Sequence, residues 1–320
     1  MSKYNLPLFD FDRLKTISIH ERGGKVKVQN FARAYQPSSG VKGLIDSLPA
    51  ILAGDDFRSL LRLIQEARAK GKPVLWGIGG HVIKCGLAPV LIQLMQQGYA
   101  HGFLMNGSTS IHDFEIAIAG STSEDVEAAL PGGQFGVAEE TGREWNAAIK
   151  AGVAAGQGLG EALGCHLQKL ARPEFASSSL LHAAWVAGVP VTVHLAIGTD
   201  TPHMHPAADA AALGEATHRD FRLACRLVTM LNEGGVYLNV GSAVILPEVF
   251  LKAVSVVRNL GYPLANFTTA VFDFLQHYRP RANVMQRPHA QSGGRGFYFT
   301  GHHELMIPLL AAALLETDGG

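Results

Sequence analysis

Four stretches of the chain carry side chains that could do chemistry. The densest is His194-Leu195-Ala196-Ile197-Gly198-Thr199-Asp200-Thr201-Pro202-His203-Met204-His205, where three histidines and an aspartate crowd together. His203 and His205 can put two imidazoles on one side of an extended loop, as a zinc site requires. His302, His303 and Glu304 could complete such a site if the fold brought them near. A polar substrate pocket is the preferred reading, and zinc on His203 and His205 the alternative.

The second stretch is Trp76-Gly77-Ile78-Gly79-Gly80-His81, a glycine-rich turn between an apolar run and a helix. Such a turn aims backbone N–H groups at a phosphate, with Gly79, Gly80 and His81 nearest. Val82 stands where the third glycine of GxGxxG would fall, so a purely structural turn is the competing reading. The third stretch, Asn106-Gly107-Ser108-Thr109-Ser110-Ile111-His112-Asp113, follows another apolar run, where open α/β sheets bind ligands. His112 could act as an acid or base there. Asp113 would not pair with it, because neighbours on a helix diverge by about 100°. Ser110 could simply cap the helix.

The fourth runs from Tyr278 to Arg295. Between Phe274 and His303 lie four arginines and no acid, and the forks of Arg281, Arg287 and Arg295 suit phosphate or carboxylate. A solvated loop, or pairing with acids of a second subunit, is the bland alternative. A nucleophile elbow, a P-loop and HExxH are all absent from the sequence.

These loops need a frame to hold them. Short apolar runs at 73–78, 102–105, 189–195, 236–240, 264–268 and 296–299 alternate with longer helical stretches. Continuous apolar strands of that kind imply a parallel sheet covered on both faces, an α/β fold. Phe57, Leu60, Leu61, Ile64 and Ala67 form a helix stripe between Leu44 and Ala69. Thr16–Ile19 and Lys25–Val28 alternate around Gly23-Gly24 and predict an N-terminal hairpin. Residues 1–43 thus read as an extension and 44–320 as one domain. From Glu139 to Leu167 one long helix is expected, with Gly152, Gly156, Gly160 and Gly164 in a seam four apart. That seam reads equally as tight packing inside the chain or as a subunit interface.

The 320 residues are 47% hydrophobic and carry 27 basic and 27 acidic side chains, enough for a large core and a net charge of zero. That balance argues against a nucleic-acid surface or electrostatic membrane binding. No apolar run reaches the roughly 18 residues of a membrane span, and the start lacks the pattern of a secretion signal. Three scattered cysteines, Cys85, Cys165 and Cys225, suit a reducing cytoplasm.

Taken in order, the segments resemble the deoxyhypusine synthase family, from about residue 44 to 316. Gly-His-Val-Ile-Lys-Cys-Gly at 80–86 is similar to its Ser-Asn-Leu-Ile-Ser-Ser-Gly, and Asn106–Asp113 to its Thr-Thr-Ala-Gly-Gly-Val-Glu-Glu. Thr199-Asp200 falls on its Thr-Asp-Gly, Asn239–Ser242 on a glycine-rich turn, and Asn266–Ala270 on Tyr-Ile-Asn-Thr-Ala. Residues 298–314 are similar to its closing helix. The resemblance implies a Rossmann-like fold that binds NAD and assembles as a homotetramer with sites between subunits. It implies cofactor contacts at Gly79, Gly80, His81, Asn106, Gly107, Asp113, Asp200, Gly241, Thr269 and Ala270.

One departure is decisive for the expected activity. The family forms an imine on a lysine in Glu-Ala-Val-Ser-Trp-Gly-Lys, and here the equivalent segment, Arg279–Pro288, has none; Lys252 is the last lysine of the chain. Arginine stays protonated and cannot supply the neutral amine. The expectation is therefore an NAD-binding transferase-like or oxidoreductase-like enzyme, not a deoxyhypusine synthase. It would act on a small anionic metabolite by transient oxidation followed by transfer or elimination. His112, His194, His203, His205 and His289 are the acid/base candidates, and Arg281, Arg287 and Arg295 would hold the anion. The alternatives are a metal-dependent hydrolase or lyase at His203 and His205, and a non-catalytic nucleotide-binding protein.

Overall fold

The computed structural model describes residues 3–317. Its centre is a six-stranded sheet: β1 (Val74–Ile78), β2 (Gly102–Asn106), β3 (Val191–His194), β4 (Val236–Val240), β5 (Thr268–Asp273) and β6 (Arg295–Thr300). The spatial order is β3-β2-β1-β4-β5-β6, and every pairing is parallel. Order 3-2-1-4-5-6 is the doubly wound, Rossmann-like arrangement, whose direction reverses between β1 and β4.

The strands are buried on both faces, so alternate residues feed two cores. Trp76, Phe103, Leu238 and Phe272 join one core with α1 (Gly40–Ser47), α2 (Leu52–Ala69) and most of the other helices. Leu75, Leu104, Tyr237 and Val271 join the second, beneath α11 (Ala210–Thr229) and α12 (Ile245–Asn259). The remaining helices are α3 (Gly80–Lys84), α4 (Ala88–Gln96), α5 (Gly107–Ala119), α6 (Val126–Ala129), α7 (Glu139–Ala154), α8 (Leu159–Leu170), α9 (Pro173–Ala176), α10 (Leu180–Ala187) and α13 (His303–Thr317). No helix among the described residues is long and apolar enough to cross a membrane. The three cysteines are unpaired.

Three expectations are corrected. The N-terminal hairpin does not form: residues 3–39 hold only two 3-10 turns, Phe11–Arg13 and Val28–Asn30, with Leu8 94% and Phe9 91% exposed. Two short strands with no layer to pack on cannot stand as a hairpin. The long helix at 139–167 is two, α7 and α8, broken where Gly156 turns with φ +78°. The seam is spent inside the chain: a Cβ on Gly152 would meet Ala162 Cβ at 2.2 Å, and one on Gly160 the Val191 carbonyl oxygen at 2.2 Å. Finally, the strand expected at 264–268 begins where that run ends, because Asn266 sits at φ +51° and interrupts extended chain.

Candidate functional site

The carboxyl ends of the strands turn on residues that tolerate close approach. Beyond β1, Gly79 donates to the Val240 carbonyl at 2.9 Å, and beyond β4, Gly241 turns with φ +66° and donates to Phe272. A Cβ on Gly80 would lie 2.5 Å from Ser108 Oγ and 3.3 Å from His112 Cδ2, so the first turn packs directly on α5. Beyond β2, Asn106 caps α5 by accepting from Thr109 N at 3.0 Å. Ser110 instead bonds the Gly107 carbonyl and takes no part in the cap. Gly107 leaves room for the Asp200 carboxylate, whose Oδ2 would be 2.1 Å from a Cβ there.

A cleft of about 970 Å³ opens beside these ends, walled by α5, the 121–124 loop, the start of α7 and residues 199–201. Ser108, His112 and Glu115 line it from one face of α5, as spacings of four and three require. His112 Nδ1 lies 2.7 Å from Thr122 Oγ1, and Thr122 donates its single hydroxyl proton to Glu115. The hydroxyl must therefore accept from Nδ1–H, which leaves Nε2 of the neutral ring as a lone-pair nitrogen. Glu115 also accepts from Thr141 Oγ1 at 3.0 Å. Burial, reinforced by the Lys84 charge, lowers the His112 pKa to about 4, so the imidazole is neutral at pH 7.

Asp200 faces the same cleft. Burial pushes its pKa up to about 6, and its Oδ2 has no hydrogen-bond partner. His203 Nε2, also buried and unpartnered, stands 3.9 Å from that oxygen. His203 Nδ1 accepts from Gly198 N at 3.2 Å, so Nε2 carries the proton and faces the carboxylate.

Several nominated residues are elsewhere or already engaged. Asp113 is fully buried, braces the first turn of α10 by accepting from Ser179 Oγ at 2.6 Å, Leu180 N at 2.7 Å and Leu181 N at 2.8 Å, and does not line the cleft. Thr269 and Ala270 lie at the amino-terminal half of β5, buried in the sheet, because the strand starts at Thr268. Thr269 holds His289 Nε2 at 2.7 Å, so His289 too is remote from the carboxyl edge. His194 is buried against Thr192 Oγ1 at 3.0 Å, and desolvation lowers its pKa to about 3.

His205 Nε2 bonds Glu139 at 3.2 Å and its ring packs on Gly142, and among the described residues no cluster of three ligand-bearing groups includes His203 and His205. The geometry does not support the zinc alternative on this pair. His81 Nε2 lies 3.2 Å from Cys85 Sγ. The arginines diverge as well. Arg295 opens β6 at the amino edge and pairs with Asp56, Arg287 bonds Asn283 and Tyr278, and Arg281 is exposed on the π-helical turn Pro280–Gln286. None of the three lines the cleft; Lys84, Arg143 and Arg172 do, among five carboxylates.

Sequence reasoning missed Ser108, Glu115 and Thr122. The first two were accessible as a polar stripe with His112; Thr122 sits on a loop whose path no periodicity reports.

No family model and no curated protein matches the chain. Among solved structures it is similar to a candidate deoxyhypusine synthase from Entamoeba histolytica, at 10% identity and TM-score 0.51, covering 89% of this chain and 96% of that one. It is similar to AgrE, solved as a ternary complex with ornithine and NAD+, at 15% identity and TM-score 0.52, covering 82% and 33%. It is also similar to ArgZ, an arginine dihydrolase from the ornithine-ammonia cycle in cyanobacteria, at 16% identity and TM-score 0.50, covering 83% and 33%. The chain thus spans about a third of the AgrE and ArgZ chains. These likenesses establish the fold: a parallel α/β sheet of the deoxyhypusine synthase-like kind.

Proposed function

We propose that the chain is an NAD-dependent enzyme, divergent from deoxyhypusine synthase, that acts on a small metabolite by transient oxidation followed by transfer or elimination. The observation that carries this is the His112–Thr122–Glu115 chain in the wall of a cleft at the carboxyl ends of a 3-2-1-4-5-6 sheet. Three features fit a dinucleotide: the strand order, a cleft at the upper end of the usual ligand-pocket range, and Gly80, which carries no side chain where the first turn packs on α5. Ser108, Thr199 and Asp200 would hold its hydroxyls, and Lys84 a phosphate. NAD, when bound, supplies a hydride acceptor. The chain's own part is to take the hydroxyl proton of the substrate on His112 Nε2, with Thr122 and Glu115 orienting the ring.

The anionic substrate expected from the arginine loop finds no support in the cleft, whose charges are mixed. A zwitterion suits that lining better, and ornithine in the AgrE complex is a chemical precedent in a protein of this fold.

A homo-oligomer belongs to the same proposal. Tyr4, Leu6, Leu8, Phe9, Phe11 and Ile17 of residues 1–43 are each at least 70% exposed, a run of apolar side chains that a partner copy would cover. The domain proper, three free thiols included, suits a reducing cytoplasm.

The test is binding. Purified protein titrated with NAD+ by calorimetry, alone and with ornithine, should bind one equivalent per chain. His112→Gln should leave NAD+ affinity within about threefold and abolish turnover with any active substrate, a drop of about 10² or more. Absence of NAD(H) binding sinks the proposal.

A further inference from the structure

The structure brings three ligand-bearing side chains together beside the β1/β4 switch point, outside the cleft. We propose that His81, Cys85 and Glu304 bind one thiophilic divalent cation of the zinc type, with a fourth position open to water. His81 and Cys85 are four apart around α3, which puts them on one face of the turn. Glu304 arrives from the first turn of α13, 219 residues away in sequence from Cys85.

His81 Nε2 is 3.2 Å from Cys85 Sγ, and Cys85 Sγ is 3.7 Å from Glu304 Oε2. All three ligand atoms lie within 4.8 Å of one another. Tetrahedral zinc with ordinary bond lengths sets its sulfur about 3.6 Å from each nitrogen or oxygen neighbour. The two separations bracket that value, so the ion enters with small side-chain adjustments. Among the described residues this is the one cluster of three such groups.

The donor set fits the ion. One thiolate, one imidazole and one carboxylate favour zinc over magnesium or calcium, which take oxygen. Three protein ligands leave the fourth position free, the pattern of sites that activate water rather than staple a fold.

The surroundings hold the ligands in place. The His81 ring packs edge-on to His303 at 5.6 Å and to Phe274 at 5.9 Å between centroids, and Phe274 packs on His303 at 5.9 Å. His302 Nδ1 stands 3.7 Å from Glu304 Oε1, the carboxylate oxygen not turned to the thiol. His303 is 1% exposed; its Nε2 bonds the Phe272 carbonyl at 3.2 Å, which leaves Nδ1 buried with no partner. With Nε2 protonated, that orphan is an acceptor, and a metal-bound water is the donor it lacks. His303 also packs 3.1 Å from where a Cβ on Gly241 would be, so the cluster sits at the crevice where doubly wound sheets take their ligands.

The test uses the full-length chain, stripped with chelator and dialysed. Zn²⁺ titration by calorimetry should give one equivalent per chain, and Co²⁺ should show a sulfur-to-metal charge-transfer band. Cys85→Ser and His81→Ala should each weaken Zn²⁺ by about 100-fold, and Glu304→Gln by about 10-fold or more, with the cobalt band lost in Cys85→Ser. Cys165→Ser and Cys225→Ser should leave both readouts unchanged. Stoichiometry well below one, or affinity and band that survive Cys85→Ser, overturns the site. Because zinc is titrated without nucleotide, this result stands apart from the NAD proposal.

Discussion

A Cβ placed on Gly79 would fall 2.0 Å from the carbonyl oxygen of Gly241, so the turns after β1 and β4 meet backbone to backbone at the point where the sheet reverses direction. Neither partner is a flexible side chain that could swing away. Gly79→Ala should therefore destabilise the fold by about 1–3 kcal/mol through overpacking. Urea denaturation measures this, and an unchanged midpoint would show that the contact is not tight.

Asp113 was nominated for a cofactor and found bracing the first turn of α10. Asp113→Ala leaves three buried donors without their acceptor, at a cost of about 3 kcal/mol or more. NAD+ affinity of the folded fraction should stay at the wild-type value. A loss of affinity with full stability would restore the cofactor reading.

Asp220, on α11, accepts from Gly160 N at 2.9 Å and Val193 N at 2.6 Å, tying α8 and β3 together. Burial raises its pKa from 3.8 to about 7. Between those values the native state holds a proton that the unfolded chain has released, so this residue's contribution is complete below about pH 4 and falls as pH rises to 7. Asp220→Asn should flatten that part of the stability profile. Melting curves at pH 5 and 7.5 give the answer; an identical slope in the variant refutes the shift.

His112 and His194 titrate in the opposite sense. Desolvation lowers them to about 4 and about 3, so on acidification the unfolded chain binds their protons first. Their contribution is whole above pH 6.5 and is lost as pH falls toward those values. Ring resonances followed by NMR should show both imidazoles neutral at pH 6, whereas a midpoint near 6.5 for His112 would contradict its burial.

Deleting residues 1–35 removes exposed apolar side chains and almost no core. The melting temperature of the domain should shift by no more than about 2 °C at fixed protomer concentration. Light scattering on the same sample should report a smaller assembly if the arm joins copies. An unchanged mass would show that the arm does not join copies of the chain.

Apolar runs by themselves determined the parallel sheet, because strands buried on both faces are mostly apolar, with the few polar exceptions such as Thr192, Asn239 and Thr269 buried among them. The same logic made Phe57, Leu60, Leu61 and Ile64 a helix face. Register was less legible. β5 starts at Thr268 because Asn266 turns left-handed, and that single backbone angle carries Thr269 and Ala270 from the ligand edge to the far one. The glycine seam was visible as spacing, yet the partner of each glycine was not, since Ala162 and Val191 reach it only through the fold.

The site divides in the same way. Ser108, His112 and Glu115 share a helix face that spacing predicts, as do His81 and Cys85. Thr122 joins the first group and Glu304 the second through loops and strand order, which local periodicity does not encode. Which histidine is engaged, which is buried and which keeps a free nitrogen was decided by tertiary packing alone, because a hydrogen-bond partner is a fact of three-dimensional distance.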